Sequence, residues 1–578
     1  MPAKQFFSYL CMTNAGLFPQ WGEGRMVKTE YKLQIMKHLF LIFMAMVSVA
    51  VSYAEINIMP LPSSVKATGG TYVLRNGATV VYNNRQLRPA AGYLLEKLAP
   101  ATGYNFRLAK GTRGDIRLVL SRQRNPADES YSLTVTTEGI VISSASYKGI
   151  VHGISSLRQL LPHEIESTYA VAGMTWAVPT VEIEDRPAYE WRGMMLDPVR
   201  HFYSVEETKR FLDHMALYKF SKFHWHLIDS QAWRIEIKKY PLLTEKGAWR
   251  DPESEHIDKA CEKEARETGD RAMALPEAYC RTVDGKRLYG GYYSQEDIRD
   301  IVAYAAVRGI DVVPELDMPG HNHMATRCYP WLGCAHDGTD PLCIGNDSTM
   351  KFCKNVYKEV FKLFPYGYAE IGGDEVKRSK WESCPLCRER VRKEGLKDMA
   401  ELQSWFTREM EKFFNKHGRR LIGWDEILEG GVSPTATVNW WQGYHKDVVQ
   451  KATDGGNEVI CCPTTFCYFD YAQDSTTIRN LYTNGIVPRN LTPSQKRLVK
   501  GMQANIWCEY IPSEARMQYM VFPRMLALAE KAWTADIMQN WDSFSVRLSG
   551  QTRRLDAMKI NYRPLDAGYT RGFNMWNK

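Results

Sequence analysis

The sequence predicts an α/β protein, a (β/α)8 TIM barrel preceded by a smaller domain of sheet and helices. Three observations lead there. Eight short apolar runs recur with helical stretches between them over roughly 340 residues, which suits such a barrel with loop insertions. The first run lacks the glycine-rich phosphate turn that a doubly wound open sheet would want after it. Every run also ends on polar or aromatic residues, as expected of a barrel that gathers its chemistry at the C-terminal rim.

Residues 1–54 come first in the chain. Lys37-His38 precede an apolar run at 39–51, and Ser52-Tyr53-Ala54 supplies small residues. That is the pattern of a secretory signal, so the mature chain is expected to begin near Glu55 and be exported, to a periplasmic or extracellular location. The run is well short of the roughly 20 residues that a membrane span needs, and no other segment is apolar enough to span. Met36 offers a conventional signal start, which leaves 1–35 as an over-extended gene start.

Residues 55–187 read as a small α/β domain. Its strands are expected at 71–74, 116–120, 131–136 and 139–143, its helices at 86–102 and 149–161. Pro179 and the Asp185-Arg186-Pro187 turn mark its end. The barrel follows at 188–535, with strands at 191–197, 222–229, 311–317, 368–373, 419–424, 435–441, 458–463 and 501–507. Helices are expected at 205–219, 294–308, 348–364, 402–417 and 513–533. Residues 536–578 read as a helix-poor extension packed on the barrel.

Composition excludes several function classes. The 578 residues suit two or three domains, and 44% hydrophobic with 24% charged is ordinary for a globular protein. Without residues 1–54 the chain has 69 basic and 64 acidic side chains, so its charge falls from +8 to +5. No basic stripe interleaves with aromatics, so neither nucleic acid nor a membrane surface is an expected partner. Cys11 lies in the removed segment, and the other 12 of the 13 cysteines fall between Cys261 and Cys508. In an exported chain these read as disulfides. Cys384-Pro-Leu-Cys387 is half of a zinc pattern, but no second CxxC follows it, so disulfide or free thiols are preferred and no metal or cofactor is expected.

The rim carries the chemistry. Ile371-Gly372-Gly373-Asp374-Glu375 ends the fourth run with two glycines and two adjacent carboxylates. Neighbouring carboxylates repel, so one is expected to be protonated or hydrogen-bonded, which suits a general acid near neutral pH. The other ends deliver Asp197, Arg200, His226, Asp229, Asp317, His321, Trp424–Glu426, Trp441, Tyr468, Asp470, Trp507 and Glu509. Tryptophan faces stack on pyranose rings while carboxylates and arginine take hydroxyls, so this mixture suggests a sugar pocket.

At this point the chain resembles glycoside hydrolase family 20, the β-N-acetylhexosaminidases. The matching segments run in family order: Arg192-Gly193, Leu196-Asp197-Pro198-Val199-Arg200-His201-Phe202, Phe223-His224-Trp225-His226-Leu227-Ile228-Asp229, Pro314-Glu315-Leu316-Asp317-Met318-Pro319-Gly320-His321, 371–375, Gly423-Trp424-Asp425-Glu426 and Gln503-Ala504-Asn505-Ile506-Trp507-Cys508-Glu509. The resemblance implies an exo-acting, retaining enzyme whose substrate supplies its own nucleophile, the 2-acetamido oxygen, forming an oxazolinium intermediate. It makes Glu375 the acid and then the base, Asp374 the partner of the acetamido N–H, and Tyr468 a donor to the acetamido carbonyl. Asp229 and His321 would support the acid through a hydrogen-bond relay. Arg200, Asp470 and Glu509 would hold ring hydroxyls, and Trp424, Trp441 and Trp507 would wall the pocket. The implied partners are glycans with a terminal β-linked N-acetylhexosamine, whether GlcNAc or GalNAc. The oligomeric state is open.

Two positions depart from the family pattern. Glu370 stands where a histidine is common, and Ser230 where a second aspartate is common. An acid at 370 facing the site would favour the protonated form of Glu375; pointing away, it is only a substitution at the surface or behind the site. The 251–287 insertion, with Cys261 and Cys280, is expected to overhang the rim. Two rival readings remain at this stage. His224-Trp225-His226 and His321-Asn322-His323 could serve a metal-dependent barrel hydrolase, and the tryptophans alone would suit a non-catalytic glycan-binding protein.

Overall fold

The computed structural model describes residues 56–569. The secretory pattern and the possible gene start lie outside the described residues. Among those described, no helix is long and apolar enough to cross a membrane.

The N-terminal domain is one mixed sheet of seven strands: β1 (Ser64–Val73), β2 (Thr79–Tyr82), β3 (Arg107–Lys110), β4 (Ile116–Leu120), β5 (Tyr131–Val135), β6 (Ile140–Ser144) and β7 (Ala177–Asp185), ordered β1-β7-β5-β6-β4-β2-β3. Strands β5 and β6 alternate buried and half-buried residues, the period-two signal legible in their sequence. Strand β3 is exposed throughout and β2 is almost uniformly buried, so neither shows that alternation. Pro179 lies inside β7 and is not a boundary. It is tolerated because β5 pairs with β7 only between Val181 and Asp185, so no neighbour on that side needs the missing N–H.

Helices Arg88–Thr102 and Tyr147–Leu160 pack on this sheet and also meet barrel helices Val205–Leu217 and Gln295–Val307. The second is buried at every position from Gly149 to Leu160, as a helix covered on both sides must be. Buried polar groups tie the layers together. Lys219 Nζ lies 2.8 Å from Asp185 Oδ2, and Trp533 Nε1 donates to Asp185 Oδ1 at 2.9 Å.

Eight parallel strands then close into a barrel: Trp191–Leu196, Lys222–His226, Asp311–Glu315, Tyr368–Glu370, Arg420–Trp424, Thr437–Trp440, Glu458–Cys461 and Val499–Ile506. The eighth pairs with the first, Ile506 opposite Leu196. Each coincides with an expected run but most stop earlier. The ladder ends at Leu196, Glu315 and Glu370, leaving Asp197, Asp317 and Asp374 on the loops just beyond, free of sheet geometry.

Three expectations are corrected here. The stretch at 513–533 is two helices, Glu514–Val521 and Arg524–Trp533, because Pro523 cannot supply a helical N–H. The C-terminal extension is not helix-poor, for Trp541–Ala557 is a helix. Its buried stripe is Phe544, Arg547, Leu548, Gln551, Arg554 and Leu555, which has helical spacing but is half polar. Arg547 pairs with Glu530 at 2.6 Å and Arg554 with Glu166 at 2.8 Å, so tertiary partners take the place of apolar burial. Finally, the twelve cysteines among the described residues form no disulfide. Cys261 turns its Sγ to the Glu509 carbonyl at 3.6 Å, which sets helix His256–Thr268 of the insertion against the rim loop carrying Glu509.

Candidate active site

All eleven candidate residues line one pocket at the C-terminal end of the barrel: Arg200, Asp229, His321, Asp374, Glu375, Trp424, Trp441, Tyr468, Asp470, Trp507 and Glu509. Tyr471 joins them, a residue the sequence did not single out.

The fourth strand shows why the double glycine is needed. Gly372 and Gly373 take φ of +71° and +94°, where a side chain is strained. A Cβ on Gly372 would stand 2.0 Å from Asp317 Oδ1, and that same oxygen accepts the Gly373 N–H at 3.0 Å. The turn therefore wraps a carboxylate and aims Asp374 and Glu375 into the pocket. Glu375 and His321 themselves hold φ of +48° and +55°. Two non-glycine residues in the left-handed region at one site is the kind of strain that surrounding structure must impose.

His321 stands at the centre of the charge arrangement. Its Nδ1 meets Asp229 Oδ1 at 3.2 Å, and its Nε2 faces Asp374 Oδ2 at 3.7 Å and Glu375 Oε2 at 3.8 Å. Burial works against a charged imidazole, but Asp229 and Asp374 outweigh it and push His321 up to about 10. Burial likewise opposes ionisation of Asp229, yet Arg200 and His321 hold it well below the usual carboxylate range. Asp374 goes the other way. Burial, only partly offset by His321, lifts it to about 7. Its Oδ1 is buried and has no hydrogen-bond partner among the described residues. Glu375 is the outermost of the group, its side chain 56% exposed.

Below the pocket floor, carboxylates fill the barrel. Glu315 Oε2 lies 2.5 Å from His226 Nδ1 and 2.9 Å from His224 Nε2, while its Oε1 accepts the Trp424 indole N–H at 2.8 Å. Glu315 belongs to the Pro314–His321 segment but was not among the candidate residues; a carboxylate after the buried Val312-Val313-Pro314 is the signal that marks it. Glu370 is fully buried beside it, 3.2 Å from His224 and receiving the Asn439 amide. It does not line the pocket. Burial and Glu315 push it well above the usual range, which disfavours a charge on it. The histidine pairs are thus spoken for. His224 and His226 converge on Glu315, whereas His323 is exposed at a helix start and separates from His321.

The walls are aromatic. Trp507 lies 5.9 Å from Trp424 and 6.4 Å from Tyr468, and Tyr468 stacks on Trp441 at 6.3 Å. Trp441 is oriented by its N–H donating to Glu426 at 3.0 Å. Burial keeps the Tyr468 phenol well above its usual value, so it stays an O–H donor. On the far side Arg200 covers the Trp507 ring and pairs with Asp229 at 2.7 Å and Asp197 at 3.0 Å, with Glu509 at 3.9 Å. Asp197 also accepts the N–H groups of Val199, Arg200 and Cys508, which locks the first loop to the last. Burial and Glu509 push Asp470 well up, and burial raises Glu509 despite Arg200. Asp470 Oδ1 and Glu509 Oε2 have no partner among the described residues. The pocket therefore offers a cation, several unpaired buried carboxylate oxygens and flat apolar faces, the complement of a polyhydroxylated ring.

The chain is similar to known proteins over most of its length. Residues 189–536 match the profile of the glycosyl hydrolase family 20 catalytic domain, and 55–186 match that of the family's domain 2. A beta-hexosaminidase of Porphyromonas gingivalis is 38% identical over 532 residues, covering 88% of this chain and 64% of its own length. One from Vibrio furnissii is 32% identical, covering 83% and 77%. Among solved structures, the GH20 exo beta-N-acetylglucosaminidase of Vibrio harveyi in complex with N-acetylglucosamine superposes with a TM-score of 0.75 at 30% identity, covering 88% of this chain and 79% of that one. The beta-N-acetylhexosaminidase of Bacteroides fragilis gives 0.74 at 30% identity, covering 88% and 97%.

Proposed function

The chain belongs to glycoside hydrolase family 20, and from that premise we propose that it is an exo-acting, retaining β-N-acetylhexosaminidase releasing terminal β-linked GlcNAc or GalNAc. The observation that carries the reading is Asp374: a half-buried carboxylate whose buried Oδ1 has no partner, lifted to about 7, beside the more exposed Glu375. A protein nucleophile has to be ionised and must reach C1. A carboxylate that accepts an N–H and balances a developing positive charge must also be ionised, but it needs a free oxygen aimed at that N–H and no line to C1.

In this mechanism the substrate's acetamido oxygen attacks C1 as the bond from C1 to the glycosidic oxygen breaks. Glu375 gives its proton to the departing oxygen. Asp374 accepts the acetamido N–H and balances the oxazolinium charge, and Tyr468 donates to the acetamido carbonyl. Water then adds to C1, its proton goes to Glu375, and the C1 bond to the acyl oxygen opens with net retention. An oriented internal nucleophile can lower the barrier by about 7–11 kcal/mol at best. Arg200, Asp470 and Glu509 hold ring hydroxyls, while Trp424, Trp441 and Trp507 enclose the acetamido group and floor the ring. His321 and Asp229 position the acid pair. The Lys37–Ala54 pattern supports action outside the cytoplasm; an exported form whose first residue is Glu55 is the expected product of N-terminal sequencing.

Two measurements test the reading. Glu375→Gln is expected to slow turnover of an aryl β-N-acetylglucosaminide by roughly 10²- to 10⁴-fold, the usual contribution of a general acid. Successive fluorination of the substrate's N-acetyl group, which weakens its carbonyl oxygen as a nucleophile, is expected to lower kcat/KM steeply. Rates indifferent to fluorination would show that the acetamido oxygen is not the nucleophile.

A further inference from the structure

Four cysteines meet behind the candidate active site. Cys334 and Cys343 lie on the loop after the third barrel strand, downstream of His321. Cys384 and Cys387 lie on the loop after the fourth, downstream of Asp374 and Glu375. Their Sγ atoms stand 3.8 Å apart for Cys334 and Cys387, 3.7 Å for Cys343 and Cys384, and 3.8 Å for Cys343 and Cys387. All four sulfurs fall within 4.8 Å of one another. Three are buried and Cys334 is half-buried.

These separations distinguish two chemistries. A disulfide brings two sulfurs to about 2.05 Å and excludes a third. Here Cys343 is equally near two partners, and so is Cys387, so no pairing is selected. Four thiolates around a zinc ion at about 2.3 Å stand roughly 3.8 Å apart at the corners of a tetrahedron, which is the spacing found. The backbone is built for the approach. Gly345, two residues after Cys343, comes so close to the other loop that a Cβ would lie 2.5 Å from the Cys387 nitrogen. Cys384 is the N-cap residue of helix Pro385–Lys393 and Cys387 sits in its first turn, so one helix start presents both sulfurs to the third loop.

We propose that Cys334, Cys343, Cys384 and Cys387 form a structural tetrathiolate zinc site. The metal fastens the third and fourth rim loops to each other and so fixes His321 against Asp374 and Glu375. The sequence concealed the site because its second half is Cys334 and Cys343, separated by a long loop and not by two residues. The site supplies no chemistry to the reaction. It replaces the disulfides that the cysteine count suggests.

The full chain, expressed with export and purified without chelator, is expected to carry about one zinc per molecule. Titration with a mercurial in the presence of a zinc-sensitive dye should release it as the four thiolates react. Cobalt(II) in its place should give the intense visible absorption of a tetrahedral thiolate complex. Cys384→Ser and Cys387→Ser should each lose the zinc and lower Tm by roughly 5 °C or more, with Cys280→Ser as the control that keeps it. If those variants do not fold, thiol counting on the denatured, chelator-treated wild type decides instead. Twelve free thiols are expected from the described residues. Four fewer thiols in a zinc-free protein would mean two disulfides and overturn the site. So would zinc retained unchanged in Cys384→Ser, or a fully reduced protein that binds neither zinc nor cobalt.

Discussion

His321 Nε2 lies 3.7 Å from Asp374 Oδ2, and the two residues hold each other's charge. The carboxylate helps keep the imidazole protonated to about 10, and the imidazolium keeps the half-buried acid from rising above about 7. In the proposed mechanism this pair keeps a carboxylate in a carboxylate-crowded pocket able to ionise near neutral pH, where the positive intermediate would need it.

Replacing His321 therefore moves a pH limb. In His321→Gln the positive charge next to Asp374 is gone, so the folded-state value of Asp374 rises. At this separation the lost attraction corresponds to about one to three pH units. The acid limb of kcat/KM, which reports the free enzyme, is expected to shift upward by that amount, with a fall in kcat at every pH. An unmoved limb in the variant would dissociate Asp374 from catalysis.

Glu370 gives the opposite expectation. It is buried, pushed well above the usual carboxylate range, and bonded to Asn439 beneath the floor, so a neutral amide is a close substitute for it. Glu370→Gln is expected to leave the pH–rate profile where it was and to change stability by less than about 1.5 kcal/mol. A displaced optimum would mean that the position does act on Glu375, as its departure from the family histidine first suggests.

The barrel was legible because its eight strands are short, apolar and buried on both faces, and because polar residues accumulate where they end. The pocket was legible for the same reason, since those ends converge. What stayed hidden depends on partners remote in sequence. Helix Trp541–Ala557 buries Arg547, Gln551 and Arg554 as readily as Phe544, so its apolar period is broken. Strand β7 carries Pro179 at a point its neighbour β5 does not reach. Tyr471 enters the pocket from a loop without periodicity. The four-cysteine cluster needs two loops whose approach no local spacing records.

Gly372 is a sharper test of the fourth rim loop. Alanine there would need the left-handed backbone at φ +71° and would press its Cβ onto Asp317 Oδ1. The backbone term alone costs roughly 1–3 kcal/mol. The Asp317 carboxylate, the acceptor for Gly373, has to move as well. Gly372→Ala is expected to lower Tm by several degrees and to cut kcat far more than it raises KM, because it misaims Asp374 and Glu375 rather than removing a binding group. Unimpaired kcat in the variant would show that the turn does not set their aim.

Asp213 links the two domains and makes stability depend on acid. It lies on barrel helix Val205–Leu217, 2.7 Å from Lys97 of the N-terminal domain, and also accepts from Arg308 and Tyr304. Burial would raise its value, but Lys97 and Arg308 outweigh burial and hold it at about 2, against an ordinary 3.8. The folded state therefore binds this proton less readily than the unfolded chain. The stabilisation is fully present above pH 4 and is lost as pH falls toward 2. With the side chain 22% exposed, it amounts to about 2 kcal/mol at most. Asp213→Asn is expected to unfold at a lower urea concentration than wild type at pH 6, with the gap narrowing between pH 4 and pH 2. A gap that is the same at both ends of that window would assign the loss to packing, and the ion pair would then contribute nothing to holding the domains together.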